Sequence, residues 1–91
     1  MKKLDFKNFE IYTGVSKQKT QEGDARESFA DVIYTRANGI RAADIAMKIY
    51  KSDGVIEFDD TEINLIQAIA CQYCSPAFAE SLNRQIELLN K

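Results

Sequence analysis

The stretch from Asp24 to Gly54 constrains the fold most, because it reads as two short helices joined at Asn38-Gly39. Asp24 is followed three residues later by Glu27, an acidic capping box that would satisfy free backbone N–H groups and start a helix there. Phe29, Val32, Ile33 and Ala37 recur at three- and four-residue steps and share one helical face. Arg26, Asp31 and Arg36 fall on other faces and are expected to meet water. Asn38-Gly39 supplies residues that tolerate positive φ at a helix end. A second stripe follows in Ala42, Ala43, Ala46, Ile49 and Tyr50, whose small alanines permit close approach of another element, and Asp53-Gly54 ends it.

The flanking segments attach strands and a second helix pair to this unit. Leu4-Asp5-Phe6 and then Phe9 to Thr13 alternate apolar and polar residues and read as strand, with Gly14 as a bulge or turn. Ser16 to Gly23 has no apolar side chain, so it is either the edge strand of a hairpin or a solvent-facing loop. In the first case Lys17 and Lys19 guard an edge; in the second they are the expected partner contacts. Val55 to Phe58 predicts another short strand, pairing with Phe9 to Thr13. Asp59 and Glu62 repeat the capping pattern ahead of Ile63, Ile66, Ile69, Ala70 and Tyr73. Ser75-Pro76 ends that helix and starts the next, which carries Phe78, Leu82, Ile86 and Leu89. The fold class is therefore α+β, with a small N-terminal antiparallel strand region and about four short helices in one compact domain. Its parts are a strand and loop arm over 1–23, a helix pair over 24–51, a turn and short strand over 52–58, and a helix pair over 59–91.

Ninety-one residues at 45% hydrophobic content suffice for one domain with a modest core that leans on good packing or on a partner. There is no apolar run near the roughly 18 residues of a membrane span. The opening Met-Lys-Lys leads into Leu-Asp-Phe-Lys instead of an apolar signal core, and two cysteines form no disulfide framework, so a cytoplasmic setting is expected. Residues 1–51 hold ten Lys or Arg against seven Asp or Glu, and residues 52–91 hold two against seven. Halves of opposite charge either attract within one fold or favour association between copies. The overall negative balance and the lack of a basic run disfavour nucleic acid.

Chemical motifs are sparse. Ser52 to Glu62 looks like half of a calcium loop, but with Gly54 at the sixth position Ile49 and Lys51 fall where oxygen ligands are required, and a turn plus a helix cap accounts for the segment. Cys71 and Cys74 have CxxC spacing without the further ligands zinc needs, near a helix C-terminus that does not activate thiols, so they read as packing residues. There is no histidine, no GxGxxG, GxxxxGK or GxSxG, and neither an enzyme nor a cofactor or metal is expected. The candidate ligand-binding residues are Tyr34, Arg36, Asn38 and Arg41, which flank a helix start where N–H groups and cationic side chains suit an anion such as a phosphate.

In FADVIYTRANGIRAADIAMKIYKSDG and the closing CSPAFAESL the chain resembles small proteins encoded by bacteriophages and prophages. The resemblance covers most of the chain and carries over no functional residue. It implies a setting in which short accessory proteins act by stoichiometric binding. The expectation is a non-enzymatic, homo-oligomeric accessory or anti-defence protein that binds a host protein. The alternatives are a binder that sequesters a small anionic nucleotide-like ligand and a minor virion or assembly component.

Overall fold

The computed structural model describes residues 1–90; Lys91, the last residue of the expected second helix pair, lies outside them. In chain order the elements are β1 (Lys2–Asp5), β2 (Phe9–Tyr12), β3 (Thr20–Gly23), α1 (Arg26–Arg36), α2 (Ile40–Tyr50), β4 (Val55–Phe58), α3 (Asp60–Tyr73) and α4 (Pro76–Leu89). The fold is the expected α+β arrangement, and no helix among the described residues is long and apolar enough to cross a membrane.

Strand pairing departs from the expectation. Val55–Phe58 pairs antiparallel with Lys2–Asp5, matching Leu4 to Ile56, while Phe9–Tyr12 pairs with Thr20–Gly23. Only the second half of the polar segment, Thr20–Gly23, is the outer strand of a hairpin; Ser16 to Lys19, with both lysines, form the connection, in which Lys17 N–H donates to Gly14 carbonyl and Lys17 takes φ 59°. Closing that short hairpin costs less chain entropy than bringing Phe9 to Thr13 against a strand more than forty residues away. The two sheets are separated by a tight turn in which the Asp5 carboxylate accepts from the N–H groups of Lys7 and Asn8, both at 3.0 Å.

Helix ends follow local chemistry where the side chain is free to cap. Asp59 accepts from Glu62 N–H at 2.7 Å and Glu62 accepts from Asp59 N–H at 3.0 Å, the reciprocal box that the sequence predicts. Ser75 likewise accepts from Phe78 N–H ahead of Pro76. The Asp24–Glu27 box does not form. Helix α1 starts one residue later, with Ala25 in the cap position and no side-chain cap, because Arg26 draws the Asp24 carboxylate into a bidentate ion pair. Between α1 and α2 the expected positive φ falls on Gly39, as the cap residue ahead of α2, at φ 99° and ψ 163°, a region reserved almost wholly for glycine. Gly39→Ala should lower stability by about 1–3 kcal/mol through that strain alone, since a Cβ there meets nothing within 4 Å. Gly14→Ala, equally uncrowded and at an ordinary φ, should shift the urea midpoint by less than about 0.5 kcal/mol equivalent. Equal effects at the two positions would remove the backbone explanation.

The core is a block of phenylalanines and isoleucines between the strands and all four helices. Phe6 stacks on Phe9 and Phe29 at 5.9 and 5.3 Å between centroids and meets Phe58 edge-on at 6.3 Å, while Phe78 closes the cluster against Phe9 and Phe29. Three expected stripe residues point outward instead: Tyr50, Tyr73 and Leu89 are exposed, and Ala30 and Ile45 are buried in addition to the expected set. The opposite charge of the two halves is used inside the chain. Of five ion pairs among the described residues, four (Lys7–Asp53, Lys17–Glu80, Lys48–Glu62 and Arg84–Glu10) join residues 1–51 to residues 52–91. Charge separation therefore gives no separate motive for association between copies.

Helix α4 also covers the strands' free edges. Gln85 accepts from Asp5 N–H at 2.9 Å and donates to Asp5 carbonyl at 2.8 Å. Asn90 does the same for Lys3, at 2.8 and 3.2 Å, so two side-chain amides stand where a neighbouring strand would bond β1. Ser81 Oγ accepts the outward N–H of Tyr12 on β2.

Candidate functional site on the outer face of the first helix pair

Helix α1 places Glu27, Ala30, Asp31 and Tyr34 at three- and four-residue steps, and α2 places Ala43, Ala46, Met47 and Tyr50 in the same spacing. These two stripes flank the line where the helices meet. Ala30 and Ala46 are buried and so small that the helices approach closely, which leaves a groove of about 190 Å³ lined by Ala30, Asp31, Tyr34, Ala46, Met47 and Tyr50. Its walls stand in water: Tyr34 is 68% exposed, Met47 45% and Tyr50 54%, and Ile40 at the start of α2 is 83% exposed. A second hollow adjoins the first at Tyr50 and is lined by Asp24, Arg26 and Glu27.

Charge on this face is set by what is already paired. Arg26 binds Asp24 at 2.7 Å and reaches across to Ser52 carbonyl, so it is committed. Hydrogen bonds from the Arg26 side chain and backbone hold the Asp24 carboxyl down from 3.8 to about 2. The folded value lies below the unfolded one, so the pair's contribution is fully present above about pH 3.8 and fades as pH falls towards 2. A carboxyl-carbon NMR titration should give Asp24 a midpoint near 2, moving back towards 3.8 in Arg26→Gln; a parent midpoint at 3.8 would mean the pair does not persist in solution. Glu27, Asp31 and Asp44 make no ion pair among the described residues.

The residues expected to gather an anion occupy one corner but not one face. Tyr34 lies in the groove. Arg36, two residues on, is rotated by roughly 200° about the helix axis and leaves on the other side of α1. Arg41 shares the flank of α2 that carries Lys48, which pairs with Glu62 at 3.3 Å and stands 4.4 Å above the Phe58 ring. Asn38 is exposed between the helices. Of the expected partner contacts, Lys17 is anchored to Glu80 at 3.1 Å and Lys19 is exposed. Cys74 packs against the core and burial pushes its thiol pKa up, whereas Cys71, expected to pack, faces solvent because it falls off the stripe of Ile66, Ile69 and Ala70. In the calcium-like segment Asp53 is taken by Lys7 at 2.6 Å, and Asp59 is taken by the helix cap.

Comparison with protein-family models, curated proteins and solved structures gave no match. Sequence reading missed the outer face because Tyr50 and Ala43 fit a core stripe as well as an outer one; the spacing from Glu27 to Tyr34 carried the remaining signal.

Proposed function

We propose that the chain is a binding protein that works by stoichiometric contact with another protein through the outer face of α1 and α2. The observation that carries this reading is the row of Tyr34, Ile40, Met47 and Tyr50, four large apolar or aromatic side chains left in water along one helix pair. Tyrosine is favoured in contact surfaces because a rigid ring contributes area at small entropic cost. Fully covering such side chains yields about 1.5–3 kcal/mol each, set against an association cost of several kcal/mol, so the face suits a complex of roughly micromolar affinity. The likeness to small phage and prophage proteins supplies the setting of a bacterial host component as partner.

Native mass spectrometry of the protein purified gently from cells that express it tests the reading. The expected result is a complex with one partner protein in integer stoichiometry, disrupted by Tyr34→Ala with Tyr50→Ala. An assembly carrying only an extra mass of a few hundred daltons per chain would overturn it in favour of ligand sequestration, and co-purification with particles would favour a virion component.

A further inference from the structure

The geometry points to a cationic amphipathic helix of the partner protein as the occupant of the α1–α2 groove, an inference that rests on this face being the docking surface. The groove runs between two 11-residue helices, each about 16 Å long, which matches some three turns of a third helix laid along them. A helix in such a groove presents anchors at three- and four-residue steps. The Ala30 and Ala46 floor receives an aliphatic side chain between the walls of Tyr34, Met47 and Tyr50.

Charge selects the sign of the partner. Glu27 and Asp31 stand one turn apart on the α1 rim and Asp44 is exposed on α2, all without an ion pair among the described residues. On α2 the exposed cations are Lys51 at its end and Arg41, one turn before Asp44, so the uncompensated acids are Glu27 and Asp31 on the α1 rim, where Arg26 is committed to Asp24 and Ser52. A lysine or arginine beside the apolar anchors would meet these carboxylates and the faces of Tyr34 and Tyr50 together. A second copy fits worse. In a two-fold contact whose axis lies beside α1, the acidic rims, with no free cation of their own, face each other. Phosphate-bearing partners are repelled by the same rim.

The test uses the isotope-labelled full chain, titrated in NMR with a leucine–lysine amphipathic helical peptide of about 14 residues and with a leucine–glutamate peptide of identical apolar spacing. The lysine peptide should shift amides of α1 and α2 saturably, bind at least about tenfold more tightly than the glutamate peptide, and weaken as salt rises. Glu27→Lys with Asp31→Lys should erase or reverse that preference, and Tyr34→Ala should weaken the lysine peptide by about tenfold. All three residues are exposed, so the variants should keep the parent circular dichroism spectrum. Equal binding of both peptides on α1–α2 would overturn the cationic assignment and leave the docking face standing. So would a concentration-dependent dimer, in sedimentation, that Tyr50→Glu abolishes. Lysine-peptide shifts confined to Glu57 and Asp60 would overturn it as non-specific attraction to acids. If neither peptide touched the groove and the native partner protected other residues, the docking face would fall as well.

Discussion

Phe6→Ala should leave the chain largely unfolded at temperatures where the parent is folded. Phe6 is fully buried in the turn between β1 and β2, and its ring touches Phe9 of β2, Phe29 of α1 and Phe58 of β4. The two small sheets share no backbone hydrogen-bond ladder, so this ring is a chief side-chain link between them. Truncating a buried phenylalanine costs about 3–5 kcal/mol, the sum of lost transfer free energy and of a cavity that close packing fills only in part. A domain of this size has about 5–10 kcal/mol of total stability, so the loss is a large share of it. Urea unfolding followed by circular dichroism is the measurement, with Val15→Ala at a 98% exposed site as the unchanged control. A loss below about 1 kcal/mol for Phe6→Ala would mean that the sheets are coupled elsewhere.

The second large effect is expected at Gln85. Its amide satisfies both the N–H and the carbonyl of Asp5, in a partly buried position. Gln85→Leu keeps the volume and removes both bonds, leaving a backbone donor and acceptor unpaired at a cost of about 1–3 kcal/mol. Gln85→Glu separates the two contributions: a carboxylate still accepts from Asp5 N–H but meets the carbonyl oxygen with repulsion. It should therefore be destabilised to a similar degree. Adding Asn90→Ala to Gln85→Leu frees the edge of β1 at Lys3 as well. That double variant should scatter light on mild heating while the parent stays clear, because an open strand edge recruits other chains. A double variant as stable and as clear as the parent would show that water replaces the amides without loss.

The helix boundaries at Asp59 and Ser75 were legible because each cap closes within three residues and needs nothing from the rest of the chain. The Asp24 boundary failed for an equally local reason: the carboxylate turns to the guanidinium and backbone N–H of Arg26, two residues on, and not to Glu27 N–H. Strand partnership was out of reach. Leu4 pairs with Ile56, and neither alternation nor β-propensity ranks that distant pairing against a nearer one. The roles of Gln85 and Asn90 left no trace, since a polar side chain on a helix reads as solvent-facing whether it meets water or a strand edge. At the candidate site the sequence groups Tyr34 with Arg36 as anion contacts, whereas the structure leaves Tyr34 exposed in the groove and Arg36 on the other side of α1. Residues two apart on a helix do not face each other, and that rule alone moves Tyr34 towards Glu27 and Asp31.

The amide clamps span 80 and 87 residues of sequence. During synthesis β1 leaves the ribosome 80 or more residues ahead of the side chains that cover its edge. Until those residues emerge that edge is bare, and native pairing with β4 must also wait for residues 55–58. This domain therefore closes late, once β1, β4 and the end of α4 are all available to one another. The nascent chain is the form most in need of a chaperone's cover.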